Sequence, residues 1–258
     1  MIKYTKYILK FLLQMYEIFK HRWGFFMEKY YSTRNTNDRV SFSTGVTRGL
    51  SPDGGLYVPE SFTNIDIYDE KYLKMSYQEL AVDILSNFLD GYTKEEVTTF
   101  VSEAYGDNFE TKDIVPVKTC DKVNFLELFR GPTLAFKDMA LQILPKFMVA
   151  AARKEGITDE IVVLTATSGD TGKAALEGFA NKEGIKIVVF FPTDGVSEVQ
   201  RMQMVTQAGA NTHVVAIKGN FDDAQTGVKE IFNDKEFNNL LKSNGKVLYS
   251  LPSGFEAT

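Results

Sequence analysis

One amine stands inside a run that otherwise reads as packing. The stretch "ELFRGPTLAFKDMALQILP", Glu127 to Pro145, places Lys137 after Leu128, Phe129, Leu134, Ala135 and Phe136 and before Met139, Ala140, Leu141, Ile143 and Leu144. A lysine so placed has two uses. Its stem can lie on apolar surface while the head reaches water, alone or against Asp138. Alternatively, the amine sits in a largely apolar cleft. Burial there disfavours the charged form, lowers the pKa from about 10.4, and leaves a neutral nucleophile able to form a Schiff base with an aldehyde.

A second stretch has the chemistry of an anion receptor. "TATSGDTGKAALEGFA", Thr165 to Ala180, offers hydroxyls at Thr167, Ser168 and Thr171, and its Gly169 and Gly172 let backbone approach a ligand closely. Free N–H groups at a helix start attract anions, each contact being worth about 0.3–1 kcal/mol, so a carboxylate or a phosphate fits. The same letters also spell a plain turn with Ser168 or Asp170 as helix cap. The spacing is neither that of an ATP phosphate loop nor the full dinucleotide-binding glycine pattern.

Few other side chains are equipped for chemistry. Cys120 is the only cysteine, so no intramolecular disulfide forms and a reducing, cytoplasmic compartment is expected. His21 lies near the start and His213 is alone in the rest, which leaves no Cys/His metal site and only Cys120 with His213 as a nucleophile–base pair. A chain so poor in His and Cys points to a borrowed organic cofactor. The net charge of −5 gathers beyond the first 26 residues, which are themselves basic, and this acidity argues against a nucleic-acid partner.

The elements that must position these residues follow from periodicity. With 258 residues, 44% of them hydrophobic, the chain can bury one large or two modest cores. After Asp159, the runs "IVVLTAT" (161–167), "IKIVVFFP" (185–192), "THVVAI" (212–217) and "KVLYSL" (246–251) read as buried strands, with helices predicted near 172–182, 196–208 and 222–243. This alternation predicts an α/β fold, a parallel sheet with helices on both faces, and a ligand site beyond the carboxyl ends of its strands. Residues 27–115 combine a glycine-rich opening, "SFSTGVTRGLSPDGGLYVPE", with two helices that start on capping boxes at Ser76/Glu79 and Thr93/Glu96. Residues 1–26 have apolar side chains near helical spacing with lysines between them. They hold no uncharged run long enough to span a membrane and no signal-peptide cleavage site, and are expected to be an extension outside the fold, ahead of a start at Met27.

Four motifs in order, "SFS...GLSPDGGLYVP", "ELF" with "GPTLAFKDMA", "ATSGDTG" and "KGNFDDAQ", closely resemble the threonine synthase family, over about Tyr30 to Val247. The resemblance implies a small α+β amino-terminal domain (27–115) followed by the first part (116–258) of a fold-type II pyridoxal 5'-phosphate domain, similar to tryptophan synthase β. It implies a cytoplasmic lyase of threonine biosynthesis that converts O-phosphohomoserine and water to L-threonine and phosphate. Lys137, by its place in "AFKD", is then the residue that holds the cofactor covalently and moves protons at the substrate's α and β carbons. Ser168, Gly169 and Asp170 would touch the cofactor. Thr167, Ser168 and Thr171 would receive the substrate's carboxylate, while Thr133 and Ser43 would contact its phosphate. No metal, nucleic acid or membrane partner is implied, and a homo-oligomer stays open.

Rivals within the same fold are threonine or serine dehydratases and cysteine synthases, which lack the "GLSPDGGLYVP" opening; from another class comes a non-catalytic, threonine synthase-like fragment. Two departures from the family pattern stand out. Arg130 occupies a position where many relatives have histidine, and its planar fork can hold an anion. The chain also stops at Thr258, before the family's loop for the cofactor phosphate, and "YSLPSGFEAT" does not resemble the expected continuation. Poor cofactor binding by this polypeptide alone is therefore expected, together with apolar faces and strand edges left exposed.

Overall fold

Tyr30–Ser32 (β1) pairs antiparallel with both Arg39–Val40 (β2) and Tyr57–Pro59 (β3) in a small amino-terminal sheet of order β2-β1-β3. The computed structural model describes residues 29–62, 66 and 69–251, so the expected 1–26 extension and the residues from 252 on lie outside the described residues. Between β2 and β3 runs the helix Phe42–Arg48 (α1), which starts where the Ser41 side chain accepts a bond from Thr44 N–H. The helices Tyr77–Leu85 (α2) and Lys94–Ala104 (α3) begin on the expected capping boxes, Ser76 with Glu79 and Thr93 with Glu96.

Each of these helices buries one face. Val82 of α2 meets Val97, Val101 and Ala104 of α3 in a core that also takes in Leu89, Tyr105, Phe109 and Ile114. Ile143 and Phe147, from beyond the expected domain boundary, belong to that same core. The rings of Phe42 and Phe147 meet edge to face at 5.4 Å, which ties α1 to the helix Leu144–Lys154 (α5). Before α5 come the hairpin Val117–Cys120 (β4) with Val123–Leu126 (β5) and the single helical turn Asp138–Leu141 (α4). The hairpin is exposed along its whole length, so it lacks the alternation of buried and exposed residues by which a strand announces itself in sequence.

The main sheet consists of Glu160–Ala166 (β6), Ile185–Pro192 (β7), Thr212–Ile217 (β8) and Lys246–Ser250 (β9), in the order β8-β7-β6-β9 with every pair parallel. Alternation along β6 divides the core. Ile161 and Val163 face Met148, Leu176 and Phe179, whereas Val162, Leu164 and Ala166 face Ala224 and Val228. Burying each such side chain fully contributes about 1.5–3 kcal/mol. The helices Asp170–Phe179 (α6) and Phe221–Asn233 (α8) thus cover opposite faces, and Glu198–Val205 (α7) lies against α6, as the α/β reading expected.

Two details differ from the sequence expectation. The helix expected over 222–243 is two, because Asp234 leaves helical geometry (ψ 100°) and its side chain accepts from Phe237 N–H, capping a new helix Lys235–Ser243 (α9). β8 is an edge strand whose residues are exposed or half-buried, rather than a buried one. Among the described residues no helix is long and apolar enough to cross a membrane, and no His/Cys/Asp/Glu group has the arrangement of a metal site. Cys120 and His213 are both exposed and lie in different sheets.

Candidate functional site

The carboxyl end of β6 runs directly into α6, and the loop between them is organised by a single hydroxyl. Thr167 Oγ1 accepts from Gly169 N–H and Gly172 N–H, each at 2.9 Å, and is itself buried. Gly169, at φ 143°, is the helix cap and offers no side-chain cap bond, so neither Ser168 nor Asp170 plays the capping part that the plain-turn alternative required. Gly172 has a packing reason as well: a Cβ there would lie 2.4 Å from Thr167 Cγ2 and 2.8 Å from Val189 Cγ1.

What the loop leaves over matters chemically. The amides of Ser168, Asp170 and Thr171 donate to no protein acceptor among the described residues, and the hydroxyls of Ser168 and Thr171 are likewise free of protein partners. Unpaired donors at the first turn of a helix, beyond the carboxyl end of a central parallel strand, have the geometry to receive an anion.

Lys137 sits on a second loop, Gly131–Asp138, of the opposite character. Asp138 is fully buried and turned inward, accepting from Thr133 N–H at 2.8 Å and from Thr133 Oγ1–H at 2.6 Å. Burial pushes its carboxyl pKa up, while the bonds from Thr133 pull it back down. Gly131 makes room for this carboxylate, since a Cβ there would stand 2.5 Å from Asp138 Oδ2. Asp138 is therefore committed to Thr133, and Lys137 is left without it as a partner. The Lys137 ammonium lies 4.9 Å from the centre of the Phe136 ring, on a half-buried side chain beside exposed Leu134 and Phe136, so this wall of the expected apolar cleft is open.

The buried lysine is a different one. Lys173 is 5% exposed and donates to the Thr133 carbonyl and, at 2.8 Å, to Gln203 Oε1. Burial pushes its pKa down, and the carboxylates of Asp170 and Asp138 pull it partly back up. One ammonium thus fastens the Lys137 loop to the first turn of α6. The sequence signal was there, a lone lysine between Gly172, Ala174 and Ala175, but the apolar run around Lys137 drew attention elsewhere. Gln200 of α7, which donates to Asp170 Oδ1 at 2.8 Å, was similarly hidden in the capping motif "SEVQ".

The remaining expected site residues fall as follows. Thr133 and Thr167 have their oxygens engaged in holding the two loops. Ser43 is fully buried in α1, bonded to Tyr92 Oη at 2.9 Å, and no hydrogen bond links it to either loop. The Arg130 fork is occupied by Glu110 at 2.7 Å and Glu127 at 2.7 Å, so it is not free to hold an anion; Glu110 and then Glu127 raise its pKa further.

A family model described as pyridoxal-phosphate dependent enzyme matches residues 119–249, and one described as threonine synthase N terminus matches residues 29–105. The threonine synthase of Pseudomonas aeruginosa is 39% identical over 81% of this chain and 45% of its own length. Among solved structures, a pyridoxal phosphate-bound threonine synthase from Brucella melitensis superposes with a TM-score of 0.77 at 38% identity, covering 87% of this chain and 47% of that one. Yeast threonine synthase gives 0.76 at 33% identity, covering 86% and 45%. The chain therefore spans about half the length of the curated relatives it matches.

Proposed function

This chain belongs to the pyridoxal-phosphate dependent enzyme family, and from that premise we propose that it forms the lysine-bearing, anion-receiving part of a threonine synthase, which turns O-phosphohomoserine and water into L-threonine and phosphate. The observation that carries the proposal is the set of unpaired amides at Ser168, Asp170 and Thr171, fastened through Lys173 to the loop that bears Lys137. An amine and an anion receptor held together in this way fit a cofactor that is an aldehyde and a substrate that is a carboxylate.

When bound, pyridoxal phosphate supplies an electron-withdrawing ring that stabilises negative charge on the substrate carbons. Lys137 Nζ would hold the cofactor at its aldehyde carbon. With substrate bound, the same Nζ would move protons at the α and β carbons. The overall reaction would release phosphate from the γ carbon and add water at the β carbon. The amides of Ser168, Asp170 and Thr171, with the Ser168 and Thr171 hydroxyls, bind the substrate's α-carboxylate and fix the orientation of its reacting carbons. Thr133 and Thr167 act as braces for these groups.

The test is to supply pyridoxal phosphate and O-phosphohomoserine to the protein extended to the full length of its relatives and to read products. Equal release of phosphate and threonine, abolished by Lys137→Ala, is expected. Deamination of serine or threonine to a 2-oxo acid without phosphate release would assign a dehydratase, and products unaffected by Lys137→Ala would overturn the role of that lysine.

A further inference from the structure

Four helices among the described residues start on a capping box, and three of them use an acid at the third position: Glu79, Glu96 and Asp223. The fourth, α7, uses Gln200. A box needs only one acceptor atom from that side chain, so a carboxylate serves as well as a carboxamide. The difference lies in what the second atom faces. In α2, Glu79 uses a single oxygen, Oε2, for both Ser76 N–H and the Ser76 hydroxyl, at 2.8 and 3.0 Å. In α7, Gln200 Oε1 accepts from Ser197 N–H at 3.3 Å and lies 3.1 Å from Ser197 Oγ, which turns Nε2 onto Asp170 Oδ1 at 2.8 Å. A glutamate here would set a second carboxylate against Asp170.

The neighbouring position is shaped to admit the carboxamide. At Gly169 a Cβ would lie 2.4 Å from Gln200 Cδ and 2.5 Å from Nε2, so any side chain there would displace it. Asp170 Oδ2, in turn, has no hydrogen-bond partner among the described residues. One oxygen of Asp170 is thus fixed by α7 while the other is left without a hydrogen bond, on a residue that also carries one of the unpaired amides.

We propose that Gln200 is a positioning residue: it locks Asp170 as an oriented acceptor, so that the loop receives an anion at its amides and a hydroxyl or N–H donor of the bound cofactor at Asp170 Oδ2. This deepens the function proposed above and rests on it. The design has a direct reversal. Gln200→Glu keeps the cap but opposes two carboxylates, and adding Asp170→Asn restores a donor–acceptor pair with its polarity exchanged at unchanged net charge.

The experiment takes each protein extended to the full length of its relatives, incubates it with pyridoxal phosphate, reduces with borohydride, and measures the labelled fraction of the Lys137 peptide by mass spectrometry. Circular dichroism reports the fold of each variant. Gln200→Glu is expected to lower labelling about tenfold, and the exchanged pair to return it to within about threefold of the parent. Gln200→Met, which removes the bond without adding charge, is expected to lower labelling about threefold and serves where Gln200→Glu does not fold. Parent-like labelling in Gln200→Glu or Gln200→Met would reduce Gln200 to a cap, and a loss that the exchanged pair leaves uncorrected would overturn the pairing. Absence of Lys137 labelling in the parent would overturn the proposed function itself, and this inference with it.

Discussion

The loops Gly131–Asp138 and Thr167–Gly172 meet at the first turn of α6 and treat their polar groups in opposite ways. In the first, the Thr133 amide, hydroxyl and carbonyl are all paired, with Asp138 and Lys173 as buried partners. In the second, one hydroxyl gathers two amides and three more are left without protein acceptors. A closed network costs desolvation that its own bonds offset, and gains rigidity. An open one leaves donors for something that is not protein. Under the proposed function the closed loop would carry the reactive amine, with the Lys137 side chain outside that loop's network, and the open one would receive the anion.

Breaking the closed loop should cost most. Asp138→Ala leaves the buried Thr133 amide and hydroxyl without their acceptor, and at about 1–3 kcal/mol for each orphaned group a loss of about 3 kcal/mol in urea unfolding is expected. A loss below about 1 kcal/mol would mean that the network does not brace the loop. Asp138→Asn, which keeps one acceptor, should fall between this variant and the parent.

Crowding the open loop comes next. Gly172→Ala places a Cβ 2.4 Å from Thr167 Cγ2, and overpacking of that kind costs about 1–3 kcal/mol, measurable as a lowered thermal midpoint. Thr167→Val keeps the shape but orphans the buried amides of Gly169 and Gly172, and at about 1–3 kcal/mol for each a loss of about 2 kcal/mol is expected. It should also raise hydrogen exchange at those two amides while leaving the Thr133 amide protected, which separates the two loops directly.

The smallest effect is electrostatic. Burial lowers the Lys173 pKa in the folded chain, so as pH rises from that lowered value towards the ordinary one, near about 10.4, the unfolded chain holds more protons than the folded one. Stability from this group therefore rises with pH across that window. The parent's stability should rise relative to that of Lys173→Met as pH increases through the window below the ordinary lysine value, and a parent that instead loses stability relative to Lys173→Met there would contradict the burial of the charge.

The sheet and its helices were legible because their cause is periodic. Branched residues on β6 and β7 alternate between two cores, and Ser76 and Thr93 mark helix starts with a local device. The turn from β6 into α6 could be read from Ser168, Gly169 and Thr171, but those letters fit a plain turn as well as an anion receptor, and the unpaired amides show only in the structure. The closed loop could not be read. Its shape depends on Leu134 taking φ 59°, unusual for a side chain of that kind, and on Asp138 turning inward beside a lysine that a sequence reader pairs with it. The break at Asp234 went unseen for a related reason, as the apolar period continues across it and only the capping bond to Phe237 interrupts the helix.

The most direct measurement is the site of covalent attachment. After incubation of the protein, extended to the full length of its relatives, with pyridoxal phosphate and reduction by borohydride, peptide mapping should find the label concentrated on Lys137, with phosphate or O-phosphohomoserine altering its yield through the Ser168–Thr171 amides. Label spread over the exposed lysines, or held by Lys173 instead, would contradict the assignment of Lys137 as the reactive amine.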